Sequence, residues 1–157
     1  MPCDSQSTMS EPDRKIIIDA ITRMLARREH SIAEIVRKLA QKDVSETTAL
    51  PIINEFCEAN LQSDERYAEA KIRSSIGRGV GPRRVKADLN QHDISEAMVE
   101  RAMEEVDPDW FELARAVREK KYGLTAPADF KQKQKQMQFL QYRGFYQSHI
   151  QYAMDGD

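Results

Sequence analysis

Cysteine is almost missing from this chain, with Cys3 and Cys57 its only two. One lies in a polar N-terminal stretch and the other in a helical pattern, so a disulfide scaffold is a poor fit and free thiols of a reducing compartment are expected. Glycine and proline number six each, and aromatic residues make up 7%. With so few turn formers and few β-branched or aromatic runs, a β-sandwich is a poor fit as well. No stretch approaches the ~20 apolar residues of a membrane-spanning helix. The opening residues, MPCDSQSTMSEPDR, have neither the basic start nor the apolar run of a secretory signal, and a cytoplasmic location is expected. Catalytic features are also wanting. His30, His92 and His149 lie far apart, with no carboxylate or cysteine at ligand spacing, so no metal site, no cofactor site and no catalytic constellation is expected.

What is present favours helix. The chain has 157 residues, 40% hydrophobic and 32% charged, rich in Ala, Glu, Lys, Arg, Gln and Met. That length suits one domain or a run of small helical units. The net charge of −2 hides a block pattern. Residues 1–64 carry −3, residues 65–92 carry +4, residues 93–112 carry −7 and residues 113–154 carry +6. Such segregation fits a basic face for nucleic acid or an acidic protein; solvated helix faces with local ion pairs would give it too.

A repeat runs through the chain. Leu39-x4-Val44, Leu89-x4-Ile94 and Leu140-x4-Phe145 share one spacing, and Asp43, Asp93 or Gly144 precedes the last position of each. Gly, and less comfortably Asp, tolerates the left-handed conformation that ends a helix. Each site therefore reads as a helix end followed by an apolar residue folding back onto it. Ala49 and Ile53, Val99 and Met103, and Ile150 and Met154 follow at common offsets, as the buried stripe of a short helix. Upstream, Ser31 and Glu34 form a capping box, and Gly81-Pro82 opens the equivalent helix of the second copy. In the third copy the helix is expected to start near Thr125-Ala-Pro127. Helices are predicted at 13–29, 31–41, 46–60, 64–78, 82–91, 95–106, 109–122, 127–142 and 147–154.

The expected fold is thus all-α, with three tandem three-helix repeats stacked into an elongated, curved array. Its boundaries are a disordered tail at 1–12 and repeats at 13–63, 64–108 and 109–157. A single triplet is too small to bury its own apolar stripe, so neighbours should supply the core.

The glycine-rich segment 77–82 has no preceding strand and no Lys-Ser/Thr pair, so it reads as a tight turn into a capped helix. The start of that helix, flanked by Arg83 and Arg84, could still receive a phosphate or carboxylate. With Ile72, Ile76, Val85 and Leu89 buried, Arg66, Lys71, Arg73, Arg78, Arg83, Arg84 and Lys86 should face outward. Lys120, Lys121, Lys131, Lys133, Lys135 and Arg143 add a second basic patch, with Tyr122, Tyr142 and Tyr146 nearby as either core or base-stacking residues. Such cations promise salt-sensitive phosphate contact rather than base specificity. Glu96, Glu100, Glu104 and Glu105 read as a solvated acidic face or as one that pairs with a basic partner or a neighbouring repeat. Met98, Met103 and Trp110 are expected to pack between the second and third copies.

Several of these residues carry a family resemblance. Ser63-Asp-Glu-Arg-Tyr-Ala68, then Ile72-Arg73, Gly79-Val-Gly81-Pro82-x-Arg84-Val85 and Leu89-x4-Ile94 resemble the central motif of the RecX family. The segments Arg23-x-Leu25-x-x-Arg28-x-x-Ser31-x-x-Glu34-x4-Leu39 and Phe139-Leu140-x-x-Arg143-Gly144-Phe145 are similar to its first and third repeats. Asp43 and Asp93 depart from the usual helix-ending glycine, and Gly77 falls where the fourth helix should end. The resemblance implies a bacterial regulator, chiefly an inhibitor, of the RecA recombinase. Such a protein would bind in the groove of the RecA filament on DNA and suppress ATP hydrolysis, strand exchange and filament growth. Motif position points to Arg73, Arg84 and Arg143 as contacts, and charge alone adds Lys71, Arg78, Arg83, Lys86, Lys120, Lys121 and Lys131. The expected partners are the RecA filament and, weakly and without sequence preference, DNA; no membrane is involved and the protein acts as a monomer. The alternative is a general DNA- or RNA-binding helical repeat module with no recombinase partner.

Overall fold

A computed structural model describes residues 10–155. Among these, nine helices and no strand are present: α1 (Glu11–Arg27), α2 (Ile32–Ala40), α3 (Glu46–Glu58), α4 (Asp64–Gly77), α5 (Pro82–Gln91), α6 (Glu96–Val106), α7 (Trp110–Tyr122), α8 (Phe130–Tyr142) and α9 (Gln147–Asp155). The chain forms two compact units that divide after Tyr67.

The repeated spacing is a repeated helix stop. Val44 N–H donates to the Leu39 carbonyl at 3.0 Å, Ile94 N–H to that of Leu89 at 3.2 Å, and Phe145 N–H to that of Leu140 at 3.2 Å. The intervening Asp43, Asp93 and Gly144 have φ of 65°, 59° and 102°. These are Schellman turns, in which a left-handed residue lets two orphan carbonyls of the last turn find donors. Each apolar residue after the turn then covers the core just built: Phe145 is 1% and Ile94 3% exposed. Two further copies close α3, through Asn60 and Leu61, and α4, through Gly79 and Val80.

Starts are set by side-chain caps. Ser31, Ser45 and Ser95 each accept the amide three residues on. Ser10 does the same for Asp13 and starts α1 at Glu11, so residues 11 and 12 are helical rather than tail; the rest of the expected tail, 1–9, lies outside the described residues. Helix α8 starts at Phe130, not near Pro127, because Asp129 accepts the Gln132 amide at 2.9 Å and outcompetes the upstream proline as a cap. Glu34 does not reach back to its cap amide. It takes the Arg28 guanidinium instead, at 3.1 and 2.5 Å.

In the N-terminal unit, Ile17, Ile21, Ile35, Leu39, Ile52, Ile53 and Phe56 make the core. Gln62 ties its far end, donating to the His30 carbonyl at 3.1 Å and to Asp64 at 2.8 Å while accepting from the half-buried free thiol of Cys57. Burial pushes the Cys57 thiol pKa up, as suits an unreactive packing residue. In the C-terminal unit, Ala114, Leu140, Phe145, Ile150 and Ala153 form a core on which Trp110 packs. Met98 and Met103 are only half-buried. Glu96, Glu100, Glu104 and Glu105 are all exposed on α6.

Candidate nucleic-acid and partner interface

All ten predicted contact residues lie in the C-terminal unit, and the structure divides them among distinct places. The first is a seam between two turns. The turn from α4 to α5 lies against the turn from α8 to α9: Gly81 N–H donates to the Arg143 carbonyl at 2.8 Å and Arg83 N–H to that of Gly144 at 2.9 Å. Only glycine permits this approach, since a Cβ on Gly81 would sit 2.5 Å from the Gly144 carbonyl carbon. The glycine-rich segment is thus a packing device. The start of α5 faces this turn, with the amides of its cap, Gly81, and of Arg83 already donating to backbone carbonyls.

Arginines reinforce the seam. Arg83 donates to the Gln141 carbonyl, and Arg84 reaches the Tyr142 carbonyl at 3.5 Å with its guanidinium 5.5 Å from the Tyr142 ring centre. Arg143 answers from the other side, donating to the carbonyls of Arg78 at 2.9 Å and Gly79 at 3.2 Å while lying over Phe139. The Gln141 and Tyr142 carbonyls end α8 and carry the negative end of its dipole, and those of Arg78 and Gly79 lie in the turn just past α4, so guanidinium groups suit them. Lys86 lies 5.9 Å from the Tyr146 ring centre, and Lys71 pairs with Asp88 at 3.2 Å. Arg66, expected outward, is half-buried and bound to Glu29 and Asn60 within the N-terminal unit.

The second place is a cleft of about 500 Å³ that gathers Arg78, Lys120, Lys121 and Arg143 over a floor of Val117 and Phe139. No carboxylate lines it. Lys121 sits 5.1 Å from the Phe139 ring centre, so an aromatic face as well as the helix ends concentrates cations here. Arg73 on α4 and Lys131 in the first turn of α8 are exposed, without a partner among the described residues, and belong to neither group. Tyr142 is 76% exposed, whereas Tyr122 packs edge-on against Phe139 at 5.6 Å.

The remaining titratable groups serve packing. His149 is buried against Phe111 at 4.7 Å, accepts the Tyr146 amide, and burial lowers its pKa. Arg118, 6% exposed, donates to buried Gln136 at 2.8 Å and to the Thr125 carbonyl at 3.3 Å. Gln136 lies between Lys135 and Met137 on α8, among the lysines of the second basic patch, yet its side chain is buried. No group of three or more His, Cys, Asp or Glu among the described residues can hold a metal. No helix among them is long and apolar enough to cross a membrane.

Three family models match in chain order: the first three-helix domain of RecX over residues 19–56, the second over 63–103 and the third over 107–154. The chain belongs to the RecX family. A Vibrio parahaemolyticus relative named "Regulatory protein RecX" is 40% identical over 136 residues, 87% of this chain and 88% of that one. Another of the same name, from Halorhodospira halophila, is 39% identical over 127 residues, 81% and 79% of the two chains. In fold, the chain resembles the crystal structure of RecX from Lactobacillus salivarius, with a TM-score of 0.75 at 23% identity over 94% of this chain and 97% of that one. A second crystal structure of regulatory protein RecX matches with a TM-score of 0.73 at 24% identity, over 92% and 73%. Within the family frame, Arg84 and Arg143 are motif residues whose hydrogen-bond partners are backbone carbonyls of this same chain.

Proposed function

We propose that the protein regulates the RecA recombinase, chiefly as an inhibitor, by binding as a monomer in the groove of the RecA–DNA filament and suppressing ATP hydrolysis, strand exchange and filament growth. The observation that carries this reading is the run of all three RecX three-helix domains, in order, along one chain. Its modules are the repeats at 13–63, 64–108 and 109–157. The carboxylate-free cleft at Arg78, Lys120, Lys121 and Arg143 supports it, as a place where phosphate or an acidic protein surface would be favoured. Arg73 and Lys131 extend the surface, while Arg83 and Arg84 act first by holding the seam. The mechanism is non-enzymatic: a ligand that prefers one filament state shifts the population by its differential affinity.

The test is DNA-stimulated ATP hydrolysis by the cognate RecA, titrated with this protein at physiological salt beside binding to naked DNA. Inhibition well below one protein per recombinase monomer, reduced in a Lys120→Glu/Lys121→Glu variant that still melts like wild type, is the expected result. Unchanged hydrolysis at saturating protein, with strong binding to naked DNA, would make the protein a general nucleic-acid-binding module instead.

A further inference from the structure

A second basic cleft lies in the N-terminal unit, and of its cations only Arg23 falls on a motif position. It encloses about 460 Å³ and is lined by Arg23 and Arg27 of α1, Lys38 of α2, Lys42 of the turn that follows, and His30 and Gln41. In sequence, Arg23 and Arg27 are an i, i+4 pair on α1, a spacing that puts both on one face about 6 Å apart along the axis, while Lys38 on α2 and Lys42 just past its end add the second pair.

As in the C-terminal cleft, nothing among the described residues neutralises the cations here. No carboxylate lines the cleft. Of the acids nearby in sequence, Asp19 pairs with Lys15 at 3.0 Å, Glu29 with Arg66 at 3.0 Å and Glu34 with Arg28 at 2.5 Å, while Asp43, next to Lys42, is exposed and does not line the cleft. Arg23, Arg27 and Lys42 have no hydrogen-bond or ion-pair partner among the described residues. Lys38 has one, and it is uncharged. Its ammonium lies 3.2 Å from Nε2 of His30, whose Nδ1 is 3.0 Å from the Arg28 carbonyl. A carbonyl only accepts, so Nδ1 carries the proton and Nε2 offers its lone pair to the lysine. At 2% exposure His30 is fixed in the core, and burial keeps it neutral. The imidazole therefore holds Lys38 in place without cancelling its charge.

Four cations arranged in this way repel one another and await an anion. The cleft has no aromatic side chain to anchor a protein partner by packing. Charge spread over two walls, without an apolar anchor and without groups arranged to read bases, suits a repeating phosphate. Arginine adds the planar fork that binds phosphate oxygens in pairs. We propose that this cleft is a nucleic-acid contact of the N-terminal unit, in which Arg23, Arg27, Lys38 and Lys42 bind successive phosphates of a polynucleotide backbone.

The experiment uses the full chain and a labelled oligo(dT) strand without recombinase, so its outcome is separate from that of the RecA reading. Affinity is measured across salt concentrations for wild type, Arg23→Ala/Arg27→Ala and, as a control for net charge, Arg37→Ala, an exposed α2 position outside the cleft. Each single-strand phosphate that the protein no longer neutralises lowers the slope of log affinity against log salt by about 0.7, so the double variant should drop by roughly 1.4 at an unchanged melting temperature. Arg37→Ala should keep the wild-type slope. Equal slopes for wild type and the double variant would overturn the proposal, as would an equal fall in slope per charge in the control. If the double variant kept oligo(dT) binding but lost recombinase inhibition, the cleft would be a protein contact and the proposal would again fail.

Discussion

The two basic clefts show that a count of cations says little about what they are free to do. In the C-terminal unit, Arg143 commits its guanidinium to the Arg78 and Gly79 carbonyls, and Arg83 and Arg84 reach the end of α8. In the N-terminal unit, Arg23, Arg27 and Lys42 touch no acceptor among the described residues, and Lys38 touches a neutral one. Chain positions that look equally basic thus divide into cations that hold the fold and cations that await a ligand. The difference follows from what packs beside each side chain: the end of α8 and the turn after α4 offer carbonyl acceptors to the C-terminal arginines, whereas none reaches Arg23, Arg27 or Lys42 among the described residues.

The sharpest way to break the contrast is at the glycines that make the seam possible. Gly81→Ala puts a methyl group into the Gly144 backbone, and Gly144→Ala adds a positive φ of 102° to a clash with Arg84. Each should cost on the order of 3 kcal/mol, read from the shift in denaturant midpoint at constant slope. Hydrogen exchange should place the loss in the C-terminal unit. The matched comparison is Arg143→Ala against Arg23→Ala. The first removes charge-assisted bonds to two carbonyls and should cost about 1–2 kcal/mol by the same measurement. The second should stay within about 0.5 kcal/mol, since a surface side chain without partners has little to lose. Equal costs would erase the distinction between structural and available cations.

Acid titration tests the buried histidines. The His30 pKa is lowered by burial above all, with Arg28 and Lys38 adding repulsion while the Arg28 carbonyl and Glu34 oppose it; that of His149 is lowered by burial. A histidine that binds its proton less readily folded than unfolded contributes stability that is whole above about pH 6.5 and declines as pH falls through the folded value. Glu34 continues the trend at lower pH. Burial raises its pKa, but the hydrogen bond and charge of Arg28 outweigh this and leave it lowered. Its contribution is therefore present above the ordinary glutamate range and lost below it. Midpoints of thermal unfolding should fall steadily from neutral pH, and His30→Gln should flatten the upper part of that decline.

The smallest effect has the opposite sign. Asp43 and Asp93 hold left-handed φ values at which a side chain is unfavourable. Asp43→Gly or Asp93→Gly should stabilise by about 0.5 kcal/mol, net of the entropy glycine adds to the unfolded chain, seen as a small rise in midpoint.

Much of the fold was legible because its rules are local. The spacing Leu39-x4-Val44 encodes a hydrogen bond that closes over six residues, and a serine three residues before an amide is a cap whatever lies beyond. The exceptions were local too. Asp129 caps α8 although Pro127 offers a start two residues earlier, and Ser10 caps α1 although it follows a polar stretch. The candidate site was less legible. Motif position picked out Arg84 and Arg143, yet their nearest acceptors are 58 and 65 residues away in the chain, beyond any periodicity. Arg23, Arg27, Lys38 and Lys42 did carry a signal, two basic pairs four residues apart, but it means something only once α1 is known to pack beside α2 and the turn that follows it.

From sequence alone came the helices, their stops, the three-fold repeat and the family, since each depends on contacts within a few residues or on matched order along the chain. Tertiary structure alone decided which cations are engaged. Whether a guanidinium meets a carbonyl, an aromatic face or open space depends on which distant segment packs beside it. Two glycines without Cβ atoms, Gly81 and Gly144, bring the turns together closely enough for the C-terminal arginines to find their acceptors.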